Sequence, residues 1–411
     1  MLRADVAFIG RCASTVNRIV TSRFRRIGVV MVAAAFLVAG TALAACGKGG
    51  SAETRTDTTS PATSVDAPPT SNDVAVAHDA SPPIDTAGGP DASASPANAP
   101  GKVVHKVTLG GLEREFIVYV PESAKGTKPV PVVFMFHGTS GDGEKFFNIS
   151  GWTPKADAEG FISVYPSSLT YCFYEDEDHD GTFAKTERLV TTKWSAGTLG
   201  DPKSLPLCTA DDLAALPADK RALVDHPIAD DVAFVDSILD TLASKYSVNS
   251  KRIYASGFSN GGEMTARLLV ERSNRFAMIG CAASLMNVPP AFGRAMNAIW
   301  SVGSEDPGYQ AYFKATPLPL DASFGQNPTF KGEMGNFVTT LGLAAQAAWS
   351  EGALDGQKTS EFLFATSTVG ASNSFRAVVI SGATHQYPNG TNHPAKMAEY
   401  LWEQFKGQSL P

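Results

Sequence analysis

A strand pattern in this chain leads directly into a glycine-rich turn, and a helix pattern follows at once. The predicted strand 252–255 precedes the turn 257–261, which reads Gly-Phe-Ser-Asn-Gly, and helical spacing begins at residue 263. Glycines in such a turn allow the sharp change of direction that lifts a central serine clear of a sheet. The turn therefore predicts a sheet flanked by helices, with Ser259 as a nucleophile.

From residue 103 onward, short apolar runs alternate with segments of helical periodicity. Strands are predicted at 103–109, 115–120, 132–136, 161–165, 252–255, 276–283, 298–302, 361–365 and 375–380. Helices are predicted at 230–245, 263–272, 335–349 and 394–405. Residues 170–227 have little periodicity and predict a long, loop-rich insertion over the active-site face. The alternation is typical of the α/β class, with a mainly parallel central sheet and helices on both faces. Together with the serine turn, it predicts an α/β-hydrolase fold.

The first hundred residues contain no segment that could pack into a core, so the catalytic domain is predicted at 101–411. A basic stretch precedes the apolar run 27–45, and the residues just before Cys46 resemble a bacterial lipobox. We therefore expect a lipoprotein signal peptide over 1–45 and a diacylated Cys46, with a plain transmembrane helix as the alternative. Residues 46–100 are rich in Ser, Thr, Ala, Pro and Asp, which predicts a disordered tether on an exported cell-envelope protein facing the periplasm or exterior.

The distribution of charge limits the class of partner. The formal net charge is −7, and residues 1–45 carry +5, so the remainder carries −12. A domain with this acidic balance lacks the excess of positive charge that binds nucleic acid, and it is repelled by anionic lipid. We therefore expect contact with a membrane only through the N-terminal lipid anchor.

Three cysteines lie within the predicted domain. Cys172 and Cys208 both fall in the insertion, and an exported protein can oxidise them to a disulfide. Cys281 lies in an apolar run and is predicted to be a buried thiol.

A nucleophilic serine needs an imidazole that accepts its proton, and that histidine is expected in a loop after a late strand. His385 follows the strand 375–380 and precedes the last helix, which is the position such a base occupies. His393 is the competing candidate, but it stands beside Pro394, where a helix cap or a solvated side chain is expected. We therefore assign His385 as the base.

The third catalytic group is a carboxylate that orients the imidazole, and chain order places it between the serine and the histidine. Asp306 directly follows the strand 298–302. Glu305 is its nearest rival, whereas Asp321 and Asp355 lie farther from any strand end. The sequence favours Asp306.

The transition state of acyl transfer also needs backbone donors for an oxyanion. One is expected to be the amide of Asn260, and the other the amide of Thr139 in the loop after the strand 132–136. His137 and Gly138 in the same loop, together with Tyr387, are predicted to border the substrate. The side chain of His137 is expected to make structural hydrogen bonds.

Six segments together carry a resemblance to a known family. They are 136–138, 156–161, 230–235, 257–262, 303–307 and 385–388. In this order they resemble the esterase family of polyhydroxybutyrate depolymerases and their feruloyl and acetylxylan esterase relatives, over nearly all of 103–407. The resemblance implies a serine carboxylesterase that needs no cofactor, with Ser259, Asp306 and His385 in the family's catalytic roles. Its implied substrates are esters, including polymeric ones, of plant polysaccharide or polyhydroxyalkanoate.

Two departures concern the substrate. Members of that family are expected to carry Trp two positions after the catalytic histidine, where this chain has Tyr387, and the insertion at 170–227 is longer. Both features border the substrate cleft, so the resemblance implies the reaction more firmly than the substrate.

Two alternative functions remain, a serine peptidase of the same fold and a catalytically inactive envelope binding protein. The second would be expected to show a damaged triad.

An acidic stretch in the insertion fits the spacing of a calcium loop. Its candidate ligands are Asp176, Asp178, Asp180, Thr182 and Glu187. The flanking segments lack helical periodicity, so a paired EF-hand is not expected, and a solvated acidic loop is the alternative. If calcium binds, it would brace the insertion and take no part in the chemistry.

Overall fold

The computed structural model describes residues 96–176 and 182–411, and twelve strands lie within them. The strands are β1 (Gly101–Leu109), β2 (Leu112–Val120), β3 (Val130–Phe136), β4 (Ile162–Pro166), β5 (Thr170–Tyr174), β6 (Arg188–Thr192), β7 (Val248–Phe258), β8 (Met278–Ala282), β9 (Asn297–Gly303), β10 (Ala348–Leu354), β11 (Gln357–Phe364) and β12 (Phe375–Ile380). Ten of them form one sheet in the order β1-β2-β4-β3-β7-β8-β9-β12-β11-β10. The other two, β5 and β6, pair as an antiparallel hairpin.

The centre of the large sheet is parallel. Strands β4, β3, β7, β8, β9 and β12 all run in the same direction. Antiparallel pairs occur only toward its two edges, through β1 and β2 on one side and β11 and β10 on the other. This arrangement confirms the predicted α/β-hydrolase fold and brings the carboxyl ends of β7, β9 and β12 to one edge of the sheet.

Helices cover both faces of this sheet. They are α1 (Gly143–Ile149), α2 (Trp152–Glu159), α3 (Ala210–Ala214), α4 (Ala218–Val224), α5 (Asp231–Lys245), α6 (Asn260–Glu271), α7 (Pro307–Phe313), α8 (Pro328–Leu341) and α9 (Met397–Phe405). Successive side chains of a strand point to opposite faces, so Phe134 packs in the core with α5, α6 and α8, whereas Val133 packs with α2 and α9. Across residues 96–176 and 182–411, no helix has the length and apolar character needed to span a membrane.

The helix predicted at 335–349 is wrong at both ends. Helix α8 begins earlier because the side chain of Asn327 caps it, accepting from two backbone amides, and Pro328 occupies its first turn. It ends at Gly342, which has a φ of 66°. Trp349 instead lies in the edge strand β10. The last helix likewise begins at Met397, later than the predicted residue 394.

The insertion is more ordered than its sequence indicated. Residues 170–227 contain the β5–β6 hairpin and the short helices α3 and α4. In the structure, Cys172 on β5 and Cys208 form a disulfide, with a Cα–Cα distance of 5.3 Å. Cys281 is free and buried, as expected.

A buried ion pair fastens the insertion to the sheet. Arg114 on β2 and Asp231 on α5 are 2.6 Å apart, and both side chains are 1% exposed. The second carboxylate oxygen of Asp231 accepts from both the backbone amide and the hydroxyl of Ser195, at 2.7 and 2.9 Å. The Arg114 guanidinium also lies 4.0 Å from the centre of the Phe234 ring. The pair therefore anchors the segment that follows β6.

Removal of one partner should be costly. Arg114→Met leaves the Asp231 carboxylate buried without its cation, and we expect the free energy of unfolding to fall by roughly 3–5 kcal/mol. Urea denaturation followed by circular dichroism measures this change. Arg114→Met combined with Asp231→Leu removes both charges and should recover much of the loss. A single variant as stable as the parent would show that the pair does not anchor this region.

Candidate active site

The serine turn adopts the strained geometry that its glycines predict. Ser259 follows β7, precedes the first residue of α6, and has φ 54° and ψ −126°. This region is sparsely populated by residues other than glycine and costs about 1–3 kcal/mol. A Cβ on Gly257 would overlap the carbonyl oxygen of Gly261, and a Cβ on Gly261 would overlap that of His137. The turn can therefore form only with glycine at both positions.

Three predicted residues meet above the carboxyl edge of the sheet. His385 Nε2 lies 3.0 Å from Ser259 Oγ, and His385 Nδ1 lies 2.7 Å from Asp306 Oδ2. Asp306 is fully buried, and its Oδ1 accepts from the backbone amides of Gly308 and Tyr309 at the start of α7. Because the carboxylate accepts from Nδ1–H, the lone pair of Nε2 faces the serine hydroxyl.

The rival residues lie elsewhere. His393 accepts from the amide of Ala395 and contacts the carbonyl of Ser381, so both of its ring nitrogens are bonded to backbone away from the triad. Glu305 contacts Gln310, 3.3 Å away at the surface. Asp321 caps a short 3₁₀ helix, and Asp355 accepts from the amide of Lys396. None of them has a hydrogen bond to His385 or Ser259 among the bonds of the described residues.

Two aromatic rings hold the imidazole in place. The ring of Phe258 lies 5.0 Å from that of His385, and Tyr309 stacks against it at 6.4 Å. Tyr309 is buried, and burial raises its pKa well above the ordinary value, so its hydroxyl stays neutral. The imidazole thus keeps one edge toward Asp306 and the other toward Ser259.

The loop after β3 passes directly beside the nucleophile. A Cβ on Gly138 would lie 3.2 Å from the Cβ of Ser259. Neither the backbone N–H of Thr139 nor that of Asn260 donates a hydrogen bond to a protein acceptor within residues 96–176 and 182–411. Both amides are therefore available to a substrate oxygen, and their assignment as oxyanion donors stays a prediction.

His137 has the structural role expected of its side chain, and the prediction that it borders the substrate is wrong. It is fully buried, Nδ1 donates to the Gly138 carbonyl at 2.7 Å, and Nε2 accepts from the amide of Ser168 at 3.0 Å. Burial lowers the pKa of His137 to about 4, so the ring is neutral near pH 7. Both ring nitrogens are used to shape the loop.

Tyr387 was predicted to border the substrate, but the structure places its side chain in the core. Its side chain is 4% exposed, and its hydroxyl contacts Trp152 Nε1 at 3.1 Å and Ser256 Oγ at 3.2 Å. Burial raises the pKa of Tyr387 to about 12. The tyrosine packs behind Phe258, and its hydroxyl points into the core and away from the triad.

Sequence reasoning missed several residues beside the triad. Trp194 is fully buried and is hydrogen-bonded to both His137 and Asn260. Glu263 lies one turn along α6 from the nucleophile, and its carboxylate accepts from the side chain of Asn260. Glu333 on α8 accepts from the amide of Met286 at 2.7 Å. The one available signal was the tryptophan at position 194, between Lys193 and Ser195 in the insertion.

Glu333 should give the protein a distinctive dependence of stability on pH. Burial, with the nearby Glu263 charge adding to it, raises the pKa of Glu333 to about 7 from a usual 4.5. The folded state therefore binds this proton more tightly, so its stabilisation is complete below about pH 4.5 and is lost as pH rises through 7. Glu333→Gln keeps an acceptor for Met286 and should raise the free energy of unfolding at pH 8 by on the order of 2 kcal/mol.

Urea denaturation at pH 5 and pH 8 measures this difference, which should be small at pH 5. Glu122→Gln, on the surface, is the matched control and should change stability by less than about 0.5 kcal/mol at either pH. An equal gain for Glu333→Gln at both pH values would contradict the titration of this group.

The calcium prediction falls partly outside the described residues, which exclude Asp178 and Asp180. Of the other candidate ligands, Glu187 accepts from the amide of Ala184 at 2.7 Å. The flanking segments are strands β5 and β6, in agreement with the expectation that no EF-hand helices are present. Within residues 96–176 and 182–411, no group of three or more His, Cys, Asp or Glu could hold a metal ion. Calcium binding stays a prediction.

Comparisons with known sequences point to esterases. No protein-family model matches the chain. It is similar to "Putative esterase NocK" of Nocardia uniformis subsp. tsuyamanensis, with 24% identity over 303 residues that cover 70% of this chain and 74% of that protein. It is also 24% identical over 167 residues to the bifunctional acetylxylan esterase/xylanase XynS20E of Neocallimastix patriciarum, covering 41% of this chain and 17% of that protein.

Solved structures of esterases are similar at lower identity. The acetyl xylan esterase from Aspergillus awamori is 14% identical, with a TM-score of 0.45, over 74% of this chain and 99% of that chain. The ferulic acid esterase of Anaeromyces mucronatus is 12% identical, with a TM-score of 0.39, over 76% and 91%. The assignment of the fold rests on the strand order described above and not on these similarities. The sequence relatives confirm the esterase part of the predicted resemblance, and the chain is an esterase-type hydrolase of the α/β-hydrolase fold.

Proposed function

We propose that this esterase works through a covalent acyl-enzyme on Ser259. The observation that carries the proposal is the hydrogen-bonded row Asp306–His385–Ser259, with contacts of 2.7 and 3.0 Å. This is the arrangement in which a weak hydroxyl nucleophile is activated by an adjacent base that a carboxylate orients. The described active site retains all three groups, which argues against an inactive binding protein.

The reaction follows from this geometry in two halves. Ser259 Oγ attacks the ester carbonyl carbon as its proton passes to His385 Nε2, and Asp306 stabilises the imidazolium that forms. The amides of Asn260 and Thr139 donate to the oxyanion of the tetrahedral intermediate. Collapse breaks the bond to the alcohol, which leaves with the proton from His385. Water then attacks the acyl group by the same route and releases the acid and Ser259.

For the substrate, we propose carboxylic esters of plant polysaccharides, with feruloyl or acetyl groups. The motif resemblance and the acetylxylan esterase named among the sequence relatives support this class. The resemblance also includes polyhydroxyalkanoate as an alternative. A serine peptidase activity would use the same three residues, so amide substrates belong in the test.

We also propose that the protein is exported and anchored through Cys46, with a signal peptide over 1–45 and a tether over 46–100. The basic-apolar leader and the small residues before Cys46 support this, and residues 1–95 lie outside the described part. Asn98, near the end of the predicted tether, is buried and accepts from the amide of Ser247, so the tether ends before it. Labelling of cells with an alkyne fatty acid should mark the parent protein and leave Cys46→Ser unmarked. Equal labelling of the parent protein and the Cys46→Ser variant would overturn the proposal that Cys46 carries the lipid.

The function is tested with the purified protein on methyl ferulate, acetylated xylan, short hydroxybutyrate oligomers, p-nitrophenyl acetate and a peptide p-nitroanilide. We expect ester hydrolysis, with the fastest substrate identifying the acyl group. A fluorophosphonate reagent should modify the protein once, at Ser259, as located by mass spectrometry of peptides. Cleavage of the anilide without ester hydrolysis would favour a peptidase, and neither turnover nor labelling would overturn the enzyme mechanism.

A further inference from the structure

We propose that Trp194, in the insertion, is a positioning residue that holds both halves of the oxyanion site in place. This inference rests on the proposed serine mechanism and concerns a residue that does not contact the substrate. Trp194 is fully buried, although it lies in a segment of polar sequence. Its hydrogen bonds reach the two separate stretches of chain that carry the oxyanion amides.

The first half is held through the backbone of Trp194. Its N–H donates to Asn260 Oδ1 at 2.6 Å, and its carbonyl accepts from Asn260 Nδ2 at 3.3 Å. Asn260 directly follows the nucleophile, and its own amide is the first oxyanion donor. Asn260 Nδ2 also donates to Glu263 at 3.0 Å, so the side chain of Asn260 is held by Trp194 at both ends and by Glu263 at one. These bonds fix the orientation of the peptide that presents the amide.

The second half is held through the indole. Trp194 Nε1 donates to the His137 carbonyl at 2.9 Å. The indole also packs against the rings of His137 and Phe136, with centroids 4.9 and 5.4 Å away. His137 begins the loop that passes beside Ser259 and carries the amide of Thr139. One side chain therefore sets the path of the loop that presents the second donor.

The residues on either side keep Trp194 from shifting. The amide of Lys193 donates to the Leu169 carbonyl, and its ammonium lies 3.4 Å from Thr139 Oγ1. Ser195 makes two hydrogen bonds to Asp231, which is paired with buried Arg114. The segment is thereby tied to β2, to α5 and to the oxyanion loop.

This geometry has a kinetic consequence. Oxyanion donors lower the barrier only if they are already aimed at the position where negative charge develops. A loosened loop would still admit the substrate, so binding of the ground state should be nearly unchanged. The loss should be confined to the stabilisation of the transition state. We therefore expect a change in kcat with little change in KM when the indole N–H is removed.

The test compares Trp194→Phe with Trp402→Phe. Both remove an indole from the core, but Trp402 lies on α9 and packs against Phe161. For Trp194→Phe we expect kcat on the fastest ester to fall roughly 10- to 100-fold with KM within about twofold of the parent. Affinity for a phenylboronic acid, which forms a tetrahedral adduct on the serine, should fall by a similar factor. Trp402→Phe should leave both quantities unchanged.

Thermal unfolding of each variant verifies that it is folded at the assay temperature. If Trp194→Phe does not fold, Asn260→Leu removes the side-chain bonds to Trp194 and Glu263 while keeping the backbone amide of residue 260. It should likewise lower kcat with little change in KM. Equal kinetics for Trp194→Phe and Trp402→Phe, or a loss confined to KM, would overturn the positioning role. Failure of the proposed function is distinguishable, since the parent protein itself would then neither hydrolyse esters nor react with the fluorophosphonate.

Discussion

Ser259→Ala is expected to lower kcat for ester hydrolysis by roughly 10⁵-fold or more, with KM changed by less than about threefold. The substitution removes the hydroxyl oxygen on which the proposed acyl-enzyme forms, whereas the His385–Asp306 pair and the proposed oxyanion amides remain. The residual rate would come from water activated in the same site. Steady-state kinetics with p-nitrophenyl acetate measure the loss, and the fluorophosphonate label should disappear in parallel.

Ser284→Ala is the matched control for this change. Ser284 is fully buried beside Gly262, and its hydroxyl has no hydrogen-bond partner among the described residues. Its loss should leave kcat within about twofold of the parent. If Ser259→Ala retained more than a hundredth of the parent kcat, the acyl-enzyme mechanism would be wrong and direct attack by water would replace it.

Asp306→Asn should lower kcat by roughly 10⁴-fold although it hardly changes the size of the side chain. Asp306 Oδ1 accepts from the amides of Gly308 and Tyr309. In the variant the amide oxygen would keep these bonds, so the NH₂ group must face His385 Nδ1. The imidazole would then carry its proton on Nε2, where it can no longer accept one from Ser259.

Glu305→Gln makes the same chemical change at the neighbouring position. Its side chain contacts only Gln310 among the described hydrogen bonds, so activity should stay within about twofold of the parent. The pair of variants thus decides which carboxylate orients the base. A large loss in Glu305→Gln with an active Asp306→Asn would reverse the assignment of the third residue.

Much of the core follows from local sequence. The antiparallel opening pair, the parallel centre and helix α5 all appear where the local sequence pattern predicts them. Burial selects alternating residues in an edge strand, continuous apolar runs in central parallel strands and one face in a helix. The bounds of α8 were missed because a cap and a left-handed glycine decide where a helix begins and ends, and the apolar spacing continues past both.

The positions of Ser259, Asp306 and His385 could also be predicted from the sequence, since each follows a strand and the carboxyl ends of parallel strands meet at one edge of the sheet. What surrounds them was decided by the tertiary structure. Trp194 and Asn260 are 66 residues apart, and no periodicity relates them. Tyr387 enters the core instead of the cleft, and Glu333 is buried near Glu263, because these environments exist only once distant elements have packed together.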